Sequence, residues 1–254
     1  MMTKRALLLV LLVLALAVPP AAAAVKPLPT GTDVDYQLGG SRSVPGSVGI
    51  VARDRTEKPL AGAYNVCYVN GFQTQPNEKK LWKKHPKLIL RKKGKPVVDE
   101  AWGEKLLDTR TKAKRKKIAK IVGRWIAGCA RSGFDAVEFD NLDSFSRSRG
   151  LITAKENKAM ARLLVARAHR AGLAAGQKNW ADWNGRKVGF DFAVSEECGR
   201  YEECGSYVRH YGNRVLVIEY RRVDFDATCK AWGARLPVVL RDRDLTATGL
   251  REFC

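Results

Sequence analysis

Strand-like runs alternating with helix-like stretches predict an α/β protein of the closed (β/α)8, TIM-barrel type. Three observations carry that expectation. Short apolar runs recur along the 254 residues with amphipathic stretches between some of them. Most of the runs end in an acid, an amide or a lysine, which suits the C-terminal mouth of a β/α barrel. No Gly-rich nucleotide loop follows the first run, which counts against an open doubly wound sheet, the structural alternative.

The first two dozen residues stand apart from the fold. Lys4 and Arg5 precede an apolar stretch, 7–18, which is followed by Pro19, Pro20 and the alanines Ala21 to Ala24. This is the pattern of a secretory signal peptide, 1–24, and it predicts an exported, extracellular protein. The remainder, 25–254, contains no later apolar run long enough to span a bilayer. It is long enough for one barrel-sized domain with a substantial core.

In chain order, VDYQLGG (34–40) reads as a short strand with a Gly break, and VGIVARD (48–54) as a stronger one ending in Asp54. AYNVCYVNGFQTQP (63–76) is a third strand running into a loop. EKKLWKKHPKLILRKKGKP (78–96) is basic and interrupted by proline, and reads as an exposed insertion. EKLLDTRT (104–111) reads as a strand ending in Asp108. Ile118, Ile121, Val122, Trp125, Ile126 and Cys129 then fall on one helical stripe, with lysines on the other face. GFDAVEFDNLDSF (133–145) is an apolar strand that breaks into Asp140, Asn141 and Asp143. Thr153 and Glu156 form a capping box that opens a helix running to about Arg170. LAAGQKN (173–179), FDFAVSEEC (190–198), RVLVIEY (214–220) and RLPVVLRD (235–242) complete a set of about eight strands.

Six cysteines suit an oxidising compartment. We expect Cys198 with Cys204 as a short loop and Cys229 with Cys254 as a C-terminal tether, leaving Cys67 with Cys129. His85, His169 and His210 lack ligand spacing, so no metal or other cofactor is expected. The net charge is +20, or +18 once Lys4 and Arg5 leave with the signal. Such a surface favours anionic partners, an anionic cell-wall polymer among them, but says nothing about the fold. No specific nucleic-acid partner is indicated, and the oligomeric state is open.

The polar strand ends are the candidate site. Asp140 and Asn141 also suit the start of a loop, because Asp and Asn favour turns and caps. So many such endings are harder to explain structurally, since a buried carboxylate is costly without a partner. With no nucleophile elbow and no plausible triad, the chemistry left is that of carboxylates. Two of them facing a sugar are the minimum for glycoside hydrolysis. Aromatic residues near the strand ends, Tyr36, Tyr68, Trp180 and Tyr220 among them, are candidates for stacking on sugar rings.

The order GFDAVEFDN, then GQKN, then FDFAVSEEC with YEEC, then VLVIEY resembles glycoside hydrolase family 114, the endo-α-1,4-polygalactosaminidases and their relatives. The resemblance covers roughly residues 33–220. It implies a TIM barrel that hydrolyses α-1,4-linked galactosamine or N-acetylgalactosamine polymers. It places the catalytic pair on Asp140 and Glu196. Sugar-site roles fall on Asp54, Asp108, Asn141, Lys178, Glu219 and Tyr220, with Trp180 just past a strand end. Ser195 stands where that family often has asparagine, and Glu197 where it often has glutamine. The two adjacent glutamates therefore compete for the second catalytic place. Alternation puts Glu196 on the face of Val194 and Glu197 on the face of Ser195, with the inward face open. A retaining mechanism is the expectation from resemblance. The rival readings are a carbohydrate-binding barrel without turnover and a basic secreted protein that binds anionic wall polymer through its lysine-rich segments.

Overall fold

The computed structural model describes residues 24–254, so the expected export segment lies outside the described residues except for Ala24. Eight strands pair in parallel and in sequence order: β1 (Asp33–Gln37), β2 (Val48–Asp54), β3 (Tyr64–Asn70), β4 (Ala136–Asp140), β5 (Ala174–Lys178), β6 (Phe192–Glu196), β7 (Val215–Glu219) and β8 (Val238–Arg241). The order never reverses, which excludes the doubly wound sheet. A ninth strand, β9 (Arg251–Phe253), runs antiparallel against β8.

The seam between β1 and β8 is closed by other means than a full ladder. A parallel bridge joins Gly39 to Thr246, and Gly39 N donates to Leu245 O at 3.1 Å. Asp35, fully buried in β1, accepts from Arg251 Nη1 at 2.6 Å and from Gln37 Nε2 at 2.8 Å. Arg241 lies 3.7 Å from the same carboxylate. The result is a nearly closed barrel whose last turn is tied by charge.

Five α-helices follow some of the strands: α1 (Lys79–Lys83), α2 (Lys112–Ser132), α3 (Ala154–Arg170), α4 (Cys204–Tyr211) and α5 (Arg222–Trp232). Among the described residues, β1–β2 and β2–β3 are joined by loops without an α-helix. Helix α2 forms where the apolar stripe predicts it. Thr111 accepts from Lys114 N at its start, and Gly133 ends it with φ of 92°. Ile118, Ile121, Val122, Ile126 and Cys129 are buried. Trp125 is half-buried, and its ring meets Trp82 edge-on at 6.1 Å and Arg55 at 4.5 Å. The Thr153–Glu156 capping box opens α3 as expected.

Alternation sorts the barrel residues into two cores. Val34, Ile50, Val66, Ala136, Ala174, Phe192, Val194, Leu216 and Val239 fill the interior. Val69, Val137, Phe139, Ala175, Ala193, Val217 and Leu240 face outward beneath the helices. One glycine is dictated by packing: a Cβ on Gly176 would sit 2.6 Å from the Phe192 ring. The barrel interior takes the phenyl because β5 leaves room for it.

Two segments depart from expectation. Residues 104–111 are not a barrel strand. Glu104–Lys105 pairs only with Val98–Asp99, and Leu106 and Leu107 make isolated antiparallel bridges to Gln73 and Ile89. Removing it from the list leaves the eight parallel strands. The basic segment 78–96 is not simply an exposed insertion either. Its lysines are exposed, but Trp82, Leu88, Ile89 and Leu90 are buried. Trp82, Leu88 and Ile89 join the core beneath the helices, and Leu90 packs in a small separate cluster with Val97, Leu106 and Ile152. All three expected disulfides are present, Cys67–Cys129, Cys198–Cys204 and Cys229–Cys254. Among the described residues no helix is long and apolar enough to cross a membrane.

Candidate active site

The interior face that carries Ala136, Ala174, Val194 and Ile218 also carries Asp140, Lys178, Glu196 and Tyr220 at the C-terminal mouth. The same alternation turns Glu197 and Glu219 away from the mouth. Directly after β4, β5 and β6 the backbone turns through left-handed conformations, at Asn141 (φ 65°), Asn179 (φ 54°) and Glu197 (φ 60°). For non-glycine residues these are costly, and they cluster where function demands them. Here each turns the chain outward while the preceding side chain stays aimed into the mouth.

Lys178 is the hub. Its side chain is only 2% exposed, and its Nζ lies 3.2 Å from Glu196 Oε2 and 3.7 Å from Asp140 Oδ1. It also donates to Tyr36 Oη at 2.9 Å. Burial alone would lower the ammonium's pKa, but Asp140, Glu196 and Glu138 outweigh it and hold it well above the usual lysine value. Each carboxylate of the pair has its own phenol. Tyr68 Oη donates to Asp140 Oδ2 at 2.7 Å, and Tyr220 Oη donates to Glu196 Oε1. Asn179 accepts from Glu196 N at 2.9 Å and donates to Glu196 Oε2 at 3.3 Å. Asn141 donates to Asp140 Oδ2 at 3.4 Å and accepts from Arg147, which also grips Asp143 with two bonds of 2.9 Å.

Below the pair lies Glu138, fully buried, accepting from Tyr36 Oη at 2.9 Å. Burial pushes its carboxyl up to about 7, although Lys178 and Tyr36 pull it down. A free glutamate titrates near ~4.3, so the folded state favours the protonated acid. Its stability contribution is therefore complete below the unfolded value and declines as pH rises toward the folded one. Glu138→Gln should match the parent's Tm near pH 4 and exceed it by several degrees above pH 7.5, as differential scanning calorimetry would show. An equal gain at both pH values would mean that Glu138 is not titrating in this range.

The pair opens into a cavity of about 480 Å³. Asp54 stands on its wall with Asp99, Glu104, Asp143 and Asp244. Glu104 accepts from Asn70 Nδ2 at 2.9 Å, and burial together with the charge of Asp140 pushes it up to about 7. An adjoining cavity of about 630 Å³ shares Glu196 and Tyr220 and extends past Trp180 and the exposed Tyr201. Trp180 packs in tilted contact with Phe145 and Trp183, both at 4.7 Å between ring centres, so it forms part of an aromatic wall and does not stand free.

Not every expected site residue comes to the mouth. Asp108 is buried and bound by Arg110 at 2.8 Å and by Lys114. Burial opposes its ionisation, but those two cations hold its pKa below the usual aspartate value. It anchors the start of α2. Glu219 accepts from Gly199 N at 2.7 Å beneath the helices, where burial pushes its carboxyl up to about 7. It faces outward because Ile218 and Tyr220 take the inward positions. The two adjacent glutamates are placed differently. Glu196 lines both cavities, whereas Glu197 lines only the adjoining one and is held by Arg200 at 2.6 Å and Arg243 at 3.4 Å.

Sequence reasoning missed the hydrogen-bonding role of Tyr36 and Tyr68, treating them as sugar stackers. Alternation along β1 and β3 was the available signal. It missed Glu104 as well. That residue opens a segment misread as a strand, and nothing in its local pattern marks it.

Two carboxylates sharing one buried ammonium at the mouth of a β/α barrel, under an open cleft, are the equipment of a glycosidase. Comparison with known families narrows the class. The model of glycoside-hydrolase family GH114 matches residues 15–254, and the chain belongs to that family. No curated protein matches the sequence. Among solved structures, Aspergillus fumigatus Ega3 in complex with galactosamine superposes with a TM-score of 0.73 at 22% identity, covering 91% of this chain and 99% of that one. The glycoside hydrolase domain of PelA from Pseudomonas aeruginosa gives 0.59 at 15% identity, covering 87% and 98%. Both share the fold.

Proposed function

We propose that the chain is an exported glycosidase that cleaves α-1,4-linked galactosamine-type polysaccharide internally, with Asp140 and Glu196 as the reacting pair in a retaining mechanism. The observation that carries this reading is the shared contact of both carboxylates with Lys178. A triangle through that nitrogen keeps the two oxygens under about 7 Å apart. That upper bound on the two facing oxygens admits the roughly 5–5.5 Å carboxyl separation of retaining pairs. In this scheme one carboxylate attacks the anomeric carbon while the other gives its proton to the departing glycosidic oxygen. Water then displaces the sugar from the enzyme, and the second group takes back a proton from that water.

A cleft that runs from Asp54 across the pair to Trp180 and Tyr201 suits a chain passing through, which supports internal cleavage. The overall positive charge would repel a cationic amino-sugar polymer at long range. In physiological salt the screening length is only about 8 Å, so the local wall governs. That wall is acidic: Asp54, Asp99, Glu104, Asp143 and Asp244 outnumber Arg147 and Arg243. The galactosamine bound to Ega3 is a sugar of this class. Export is supported by the signal-like pattern in 1–24 and by the three disulfides, with 25–254 as the mature single domain; N-terminal sequencing of the secreted protein tests it.

The functional test is a panel of α-1,4-linked galactosamine and N-acetylgalactosamine oligomers beside neutral glucans. New reducing ends from the amino sugars, with mid-chain products early in the time course, are the expected result. Binding without any new reducing ends would overturn the reading in favour of a non-hydrolytic barrel.

A further inference from the structure

Beside the catalytic cleft lies a second groove of about 510 Å³ built from the 74–105 region. Lys79, Lys83, Arg91 and Lys105 line it, and no carboxylate does. Buried Trp82 and Ile89 contribute apolar surface to it. Trp102, 57% exposed, belongs to both this groove and the catalytic cavity, so the two are continuous across its indole. Charge changes sign at that ring. On one side stand Asp99, Glu104 and Asp143, with Arg147 between the two aspartates; on the other, four cations and no carboxylate.

The exposed indole lies where the two concave surfaces meet and is open to a ligand from either. Its flat face suits the apolar face of a sugar ring, and an arginine matches a carboxylate with two parallel hydrogen bonds. From this continuity and charge segregation we infer that the groove is a separate binding site for an acidic, uronate-bearing polysaccharide, with Trp102 as its stacking platform. Such a site would hold the enzyme on an anionic matrix while its acidic cleft works on a different polymer. Continuity with a sugar cleft argues for carbohydrate over nucleic acid. The inference goes beyond the substrate proposed above, and its test does not depend on turnover.

The test is titration calorimetry of the mature chain with oligogalacturonides, a neutral glucan oligomer and a single-stranded DNA of matched charge. Binding of the uronide in preference to both others is expected. The triple variant Lys79→Ala, Lys83→Ala, Arg91→Ala should lose at least about tenfold in uronide affinity and show a flatter salt dependence. Trp102→Ala, which leaves the charge unchanged, should also lose about tenfold. Tm values close to the parent's would show both variants folded, as expected for exposed side chains. DNA binding as tight as the uronide, no uronide binding at low salt, or full affinity in either variant would each overturn the proposal.

Discussion

Asp140→Asn and Glu196→Gln should each lower kcat/KM on the order of 10⁴-fold or more, the scale seen when a reacting group is removed, while the barrel stays folded. The fold survives because the amides keep an acceptor for the phenols that bind these positions, Tyr68 on Asp140 and Tyr220 on Glu196. Lys178 also retains one carboxylate in either variant. The informative controls are Glu197→Gln and Glu219→Gln. Glu197 is turned from the pair and held by two arginines, and Glu219 lies beneath the helices, so neither should change turnover by more than a few fold. Steady-state release of reducing ends measures all four. Alanine in place of each acid then separates the roles through azide. If the nucleophile is missing, azide replaces it and yields the inverted glycosyl azide. If the acid/base is missing, azide attacks the covalent intermediate and yields the retained product. Near-normal turnover in both Asp140→Asn and Glu196→Gln, or full loss in Glu197→Gln alone, would sink the assignment of the pair.

Those controls also show what the sequence could and could not convey. The strands were legible because each is a short apolar run with a polar end, and the eight parallel ones were all read. Which face of a strand looks inward was not legible in any single strand, because both faces are apolar where helices cover one and the barrel fills the other. That is why Glu219, at the end of an apolar strand, looked like a site residue and is a support for the Gly199 turn. Asp108 misled for a different reason. Its segment, 104–111, has an apolar centre at Leu106 and Leu107, but Leu106 serves the small cluster around Leu90 and Leu107 packs into the core beneath the helices. The buried side of 78–96 was hidden by its lysines, whose stems and charges dominate composition while Trp82 and Leu90 do the packing. Strand β9 is three half-buried residues with no apolar run, and only its pairing to β8 and the Asp35 contact of Arg251 define it.

The second large effect belongs to Lys178, which touches both acids from the inward face at the end of β5. In Lys178→Met the shape of the stem is kept and the charge is removed. Asp140 and Glu196 then face each other without a cation. The shared contact that holds the two acids in place is lost. kcat/KM should fall about 100-fold at neutral pH, the scale of a misplaced reacting group. Stability follows with a definite sign. The folded lysine's pKa stands above its unfolded value, so its contribution is complete below the unfolded pKa near ~10.4 and fades only as pH rises through the folded one. Breaking a buried pair by removing one partner costs about 3–5 kcal/mol. The lower end applies here, because the two carboxylates remain 18% and 25% exposed. At 2–4 °C per kcal/mol for a domain this size, the Tm should drop by roughly 10 °C at neutral pH. Turnover within a few fold of the parent's in a folded Lys178→Met protein would mean that the ammonium does not position the pair.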